Sequence, residues 1–290
     1  MVADHNYGVL YIVATPIGNL GDISQRAIDV LNTVDIIAAE DTRHSGKLLQ
    51  HFGISTRQIA YHEYSNEQRL DKILSLLLGG ESVALISDAG TPLISDPGYD
   101  LVNAARSRDI PIVPLPGACA VIAALSVSGL PCNEFTFQGF LPAKSSSRRQ
   151  VFGALVDEGR TTVFYESPHR ILESLRDLMA ELGVARHVVL ARELTKTYET
   201  VLSGAVESLI KQLEQDGNQQ RGEFVVLVKG VAKPSVSELG ISDEVKQWMA
   251  ALLEHVPVKT AAAIGAKATG LKKRDLYQWA LSVKDESVGD

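Results

Sequence analysis

The chain has 290 residues, with 45% hydrophobic and 22% charged side chains and a formal net charge of −7. That length holds a sizeable core and two or three domains, and that balance excludes the disordered and fibrous classes. The negative charge disfavours nucleic-acid binding over the whole surface and leaves only local basic patches for it.

In chain order, strands alternate with helices. Val9 to Ala14 reads as a strand ending in the turn-rich Thr15-Pro16-Ile17-Gly18-Asn19. Asp22 then opens a helical pattern with Ile23, Ala27, Val30 and Leu31 on one face. Asp35 to Ala39 is the next strand, closed by Glu40-Asp41-Thr42-Arg43, and a helix runs from there to about His51. A short strand at Ile59 to Tyr61 precedes a helix over Asn66 to Leu78 and a buried strand over Ser82 to Ile86. After a long loop come a helix from about Tyr99 and a strand from Ile110 to Pro114. This βαβ succession predicts an α/β fold with a parallel sheet. Pro114-Leu115-Pro116-Gly117 marks a domain boundary, giving an N-terminal α/β domain over residues 1–116.

Residues 117–232 read as a second α/β domain. A small-residue helix over Ala118 to Ser128 sits at its start. Its strands lie near Phe135–Gln138, Thr161–Tyr165, His187–Arg192, Thr200–Leu202 and Phe224–Val228. Residues 233–240, with Lys233-Pro234-Ser235, read as a linker. Residues 241–290 carry three short helical patterns near Asp243–Leu253, Lys259–Thr269 and Lys272–Ser282, with Pro257 and Gly270 in the turns. Two short helices joined by a Gly turn resemble a helix-turn-helix.

The loop Ser87-Asp88-Ala89-Gly90-Thr91-Pro92-Leu93-Ile94-Ser95-Asp96-Pro97-Gly98 is the strongest candidate site. It follows a strand, precedes a helix, and is built of small residues that let a ligand approach the backbone. It has two acids and neither Lys nor Arg, so it suits hydroxyls, amines or a sulfonium better than phosphate. Gly90 serves backbone approach, Leu93 and Ile94 form an apolar wall, and Asp88 and Ser95 are polar anchors. Cys119 and Cys132 give neither a disulfide framework nor a zinc pattern. Dinucleotide, P-loop, zinc-protease and serine-elbow motifs are missing, so no metal is expected. Residues 1–6 lack a signal-peptide pattern and no apolar run reaches a membrane span, so a cytoplasmic setting is expected.

Six segments carry a resemblance: Tyr11–Leu20, Ala39–Arg43, Ser87–Gly98, Pro116–Ala118, Tyr165–Arg170 and Ala191–Lys196. Together and in this order they resemble bacterial methyltransferases of small-subunit ribosomal RNA, within the tetrapyrrole-methylase fold class of S-adenosylmethionine (SAM) enzymes. The resemblance implies a two-domain fold with SAM in the cleft between the domains, a homodimer, and a helical C-terminal extension. The implied reaction is methyl transfer to the 2′-hydroxyl of a cytidine in the decoding region of 16S rRNA, within the 30S subunit. A small-molecule C-methyltransferase and a non-catalytic RNA-binding protein are the competing readings.

The resemblance places the loop residues against SAM. The helix start Gly117-Ala118-Cys119-Ala120 would offer N–H groups to its carboxylate. Tyr165, Ala191 and Leu194 would surround the adenine, and Gly222 would let the backbone meet the cofactor. The acceptor proton would pass to Asp41, Glu40 or His62, with Arg43 positioning phosphate or stabilising charge. Phosphate contacts are expected from Lys144, Arg148 and Arg149, and from Lys259, Lys267, Lys272, Lys273 and Arg274.

Overall fold

The computed structural model describes residues 7–62, 67–231 and 241–286, so the expected linker at 233–240 lies outside the described residues. The chain divides into two compact units, Met1–Gly230 and Val231–Asp290.

The first unit contains two five-stranded sheets. The first sheet has β1 (Leu10–Val13), β2 (Ile36–Ala39), β3 (Gln58–Ala60), β4 (Val83–Ile86) and β5 (Ile112–Leu115), in the order β3-β2-β4-β1-β5. Every pairing in it is parallel. Helices α1 (Gln25–Thr33) and α2 (Thr42–His51) cover one face, through Leu31 and Leu49 against Val13 and Ile86. Helices α3 (Glu67–Leu78) and α4 (Tyr99–Arg106) cover the other, through Leu77 and Leu101 against Leu10 and Leu85. Burial on both faces is why β2 and β4 read as unbroken apolar runs. Helix α1 starts at Gln25 rather than Asp22, because the Ser24 hydroxyl accepts the Ala27 N–H while Leu20–Asp22 form a separate 3₁₀ turn. From the adjacent strands β1 and β4 the chain departs in opposite directions, to β2 and to β5. Their carboxyl ends therefore open a crevice, the usual ligand position in such sheets.

The second sheet has β6 (Phe135–Phe140), β7 (Thr161–Glu166), β8 (His187–Arg192), β9 (Thr200–Ala205) and β10 (Phe224–Val228), in the order β6-β7-β10-β8-β9. Only β6 and β7 run parallel, and β10 lies antiparallel between β7 and β8. Helix α5 (Ala120–Ser128) packs Val121 and Leu125 against Val163, Val189 and Val225 on one face. Helices α6 (Ser145–Gly153), α7 (Ile171–Leu182) and α8 (Val206–Gln215) cover the other, around Phe152, Phe164, Leu178 and Leu209. The second unit holds α9 (Asp243–Leu253), α10 (Val258–Thr269) and α11 (Lys273–Glu286) around Met249, Ala262, Leu276 and Trp279.

One expected RNA contact is corrected here. Arg148 is 1% exposed and lies on the inward face of α6, one turn before the buried Phe152. Its Nε and Nη2 donate to Asp177 on α7 at 2.8 and 2.6 Å, and its Nη1 donates to the carbonyls of Pro142 and Ala143. This guanidinium ties two helices and a loop together, with Glu173 a further 3.7 Å away, and its burial keeps it from phosphate. Arg148→Ala would strand the Asp177 carboxylate, so we expect a loss of about 3–5 kcal/mol in urea unfolding. A loss below about 1 kcal/mol would contradict the structural role.

Candidate functional site

The loop after β4 is stitched to its neighbours by the backbone. Thr15 and Gly90 exchange N–H···O bonds of 2.9 and 3.0 Å, and the Thr15 hydroxyl donates to the Ser87 carbonyl at 3.2 Å. Gly90 takes φ +82°, a conformation that needs no strain only without a side chain. Leu93 and Ser95 hold φ of 73° and 67°, which costs each roughly 1–2 kcal/mol. The Thr91 hydroxyl donates to the Ala118 carbonyl at 3.0 Å and ties the loop to the start of the second half.

Above these strand ends lies a cavity of about 420 Å³, within the range of small-molecule sites. Its walls are apolar at Ile17, Ala191, Leu194 and Val225, with Phe140 set edge-on against Tyr165 at 5.3 Å. Glu40, Asp88 and Asp96 make its lining acidic, and no Lys, Arg or His lines it among the described residues. Glu166 and Glu223 also line it, but the buried Glu166 carboxylate is taken by Arg170, Ser174 and the Ser167 N–H, and Glu223 pairs with Lys196 at 3.0 Å. Burial, with Glu40 and Asp88 adding repulsion, pushes the Asp96 carboxyl up to about 6 against the pull of a Ser87 hydrogen bond. Burial also raises the Tyr165 phenol well above its ordinary value.

Of the expected cofactor residues, Asp88, Gly90, Ile94, Ser95, Cys119, Ala120, Tyr165, Ala191 and Leu194 line this cavity. Leu93 does not; its side chain packs into the core of the first sheet. Gly117 lies against Ala14, and Ala118 stands behind the wall, its carbonyl taken by Thr91. Gly222 (φ +91°) faces the Glu193 side chain, which lies 2.4 Å from where a Cβ would stand. It therefore makes room for Glu193, which accepts from the Glu223 N–H and the Lys196 ammonium at 2.9 Å each.

Of the proton-acceptor candidates, Glu40 lines the cavity. Asp41 caps α2, accepts from the Arg43 N–H at 2.8 Å and pairs with the Arg43 guanidinium at 3.1 Å. Those hydrogen bonds hold its carboxyl at about 2. Arg43 is committed to the same pair. His62 lies off the cavity wall, 3.0 Å from Arg69. Sequence reasoning missed Asp96 and Glu223 as site acids. Asp96 stood in the singled-out loop, and only its burial among other carboxylates sets it apart.

The basic residues separate into distinct groups. Lys144 is exposed, and Arg149 pairs with Glu181 at 2.6 Å. Lys267, Lys272, Lys273 and Arg274 are exposed around the turn from α10 to α11. Lys259 is also exposed but stands at the other end of α10, about 12 Å from Lys267 at ~1.5 Å per residue.

A family model described as Tetrapyrrole (Corrin/Porphyrin) Methylases matches residues 9–210, and one described as RsmI C-terminal HTH domain matches residues 240–284. The ribosomal RNA small subunit methyltransferase I of Escherichia coli O157:H7 is 51% identical over 96% of each chain. The protein of that name in Vibrio cholerae is 53% identical over 97% of this chain and 96% of its own. Among solved structures, diphthine synthase covers 77% of this chain and 90% of its own at TM-score 0.58 and 15% identity. The uroporphyrin-III-C-methyltransferase of Thermus thermophilus covers 77% and 94% at TM-score 0.54 and 20% identity. The two structural likenesses concern the fold alone.

The raised Asp96 carboxyl has a consequence for stability. The folded state holds this proton more tightly than the unfolded chain, whose carboxyl titrates near 3.8. Stability therefore falls as pH rises from about 4 to 6, and the deficit persists above that window. Asp96→Asn removes the charge. We expect it to gain about 1 kcal/mol at pH 8, after discounting for partial exposure, and little at pH 4. Thermal melts at both pH values check this, and destabilisation at pH 8 would refute it.

Proposed function

The chain belongs to the tetrapyrrole (corrin/porphyrin) methylase family, and on that premise we propose that it methylates small-subunit ribosomal RNA with SAM. The acceptor in this reading is the ribose 2′-hydroxyl of a cytidine in the decoding region of 16S rRNA. The observation that carries the reading is the cavity at the ends of β1 and β4: apolar walls, the acids Glu40, Asp88 and Asp96, and no Lys, Arg or His among the described residues that line it. A ligand with an aromatic ring, an ammonium and a sulfonium matches that set, whereas a phosphorylated cofactor would meet only repulsion. Asp88, Ser95 and the backbone around Gly90 hold the polar end. Ala191, Leu194 and Tyr165 hold the ring. Cys119 and Ala120 bring the start of α5 against it.

SAM, when bound, would supply a methyl group on a positively charged sulfur that is already a good leaving group. The residues must position the hydroxyl and take its proton. Asp96 suits the second task, because its carboxyl near 6 is ionised at neutral pH yet far more basic than Asp41. Burial, with repulsion from Glu40 on the same wall, keeps Asp96 basic. The Asp41–Arg43 pair fixes the start of α2. The exposed Lys267, Lys272, Lys273 and Arg274 give the acidic chain a local positive surface for RNA phosphates, in the segment matched by the HTH model. Lys273 and Arg274 stand in the first turn of α11, where cations disfavour the helix and a bound anion would relieve them. Lys144 and Lys259 are secondary contacts. The reading includes a homodimer, the 30S subunit as substrate and a cytoplasmic setting. No helix among the described residues is long and apolar enough to cross a membrane.

Labelled SAM and unmodified 30S subunits test the reading. We expect one 2′-O-methylcytidine, lost in an Asp88→Ala, Gly90→Val variant. The wild-type rate should rise with pH and level off above about 6, as Asp96 loses its proton. Asp96→Asn should lower kcat by about 10²-fold or more. SAM binding without transfer to RNA would overturn the reading in favour of a small-molecule acceptor.

A further inference from the structure

A second cavity, of about 440 Å³, lies beside the first and shares Ile17, Asp88, Ala89 and Glu223 with it. Its chemistry differs. Helix α2 contributes His44, Lys47 and His51, all exposed and spaced at one helical turn, so they form a single stripe along the cavity. Ser45 also lines it and is 2% exposed, and its hydroxyl has no hydrogen-bond partner among the described residues. An orphaned buried hydroxyl is costly, so a group that satisfies it on binding gains more than an ordinary contact would. The turn-rich loop after β1 closes the side opposite α2 through Pro16, Ile17 and Gly18. Lys196 reaches this wall already neutralised by Glu193 and Glu223, at 2.9 and 3.0 Å. The net positive face is therefore that of α2.

The geometry points to this second cavity as the seat of the acceptor nucleotide, with His44, Lys47 and His51 on the phosphates that flank the reacting ribose and Ser45 on the nucleotide itself. The inference rests on the rRNA-methylation reading above. It separates two charge environments across one thin wall. The acidic cavity takes the cationic methyl donor, and the basic stripe takes the polyanionic acceptor. Asp88 and Ile17 stand where the two meet, so the acceptor hydroxyl and the donor methyl are brought together there. A cavity of this size holds one nucleotide and not a duplex, so the target must be unstacked or single-stranded when it reacts.

Steady-state methylation of unmodified 30S subunits by Lys47→Ala and by the triple His44→Ala, Lys47→Ala, His51→Ala variant tests this, with Lys211→Ala on α8 as a control. We expect KM for 30S to rise by about threefold in the single and about tenfold in the triple variant at physiological salt. The calorimetric Kd for SAM should stay within twofold, and kcat should change less than KM. Losing one phosphate contact should also flatten the slope of log KM against log salt by about 0.7 in Lys47→Ala. An unchanged KM and salt slope in the triple variant, with SAM binding intact, would overturn the inference while leaving the methyltransferase reading standing. Wild-type enzyme that binds SAM and transfers nothing to RNA would overturn both. All three side chains are exposed, so the variants are expected to fold, and a melting temperature within a few degrees of wild type verifies that.

Discussion

Two backbone hydrogen bonds between Thr15 and Gly90 hold the site in shape. They join the loops after β1 and β4, the two strands from which the chain departs in opposite directions. Without that bridge the crevice would be a gap between two mobile turns. With it, the turn after β1 becomes a fixed partition that carries Ile17 against both cavities. The Thr91 hydroxyl extends the same lattice to Ala118, where α5 begins, so the second half is aligned by the loop of the first. The left-handed conformations of Leu93 and Ser95 are tolerated because these bonds over-determine the loop around them.

Carboxylates at the strand ends are sorted by their surroundings. Asp41 is half-buried, hydrogen-bonded by the Arg43 guanidinium and N–H, and loses its basicity. Asp96 is partly buried near Glu40 and Asp88 and gains it. The two acids differ by several orders of magnitude in proton affinity, although both lie at carboxyl ends of the same sheet. An acidic wall also stabilises a sulfonium before any reaction, so the wall cannot lower the barrier through attraction to the donor alone. The catalytic gain must come from placing the acceptor and removing its proton.

The elements were legible because their signals were local. Apolar runs marked β2 and β4, and turn residues bounded nearly every helix. That the loop at Ser87–Gly98 lines a cavity was legible for the same reason, since small residues after a strand leave room beside the backbone. What stayed hidden depended on where a side chain points. Arg148 belongs to a sequence cluster of basic residues, yet helix phase turns it inward to Asp177, on a helix distant in sequence. Leu93 belongs to the Ser87–Gly98 loop, yet a left-handed backbone turns it to the core. Asp96 is set apart only by its burial and by how the fold brings Glu40, on another loop, and Asp88 near it. Gly222 looked like a cofactor contact and proves to be a space for Glu193. The His44, Lys47 and His51 stripe was present as helical spacing, but a stripe of that kind is usually a solvated face, and only the cavity beside it gives it a direction.

The strand order of the second sheet sets a schedule for synthesis. The first sheet is complete once Leu115 has emerged, since all five of its strands lie before that residue. The second cannot close until β10 inserts between β7 and β8, and β10 spans Phe224–Val228. An emerging chain therefore carries a finished N-terminal sheet while β7 and β8 wait with unpaired inner edges. Such edges are sticky and such long-range closures are slow. Phe224 and Val225 also line the first cavity, so that cavity is among the last features to form. A nascent chain cut short before β10 would hold an unfinished cavity and an open sheet, a form suited to chaperone capture and to degradation.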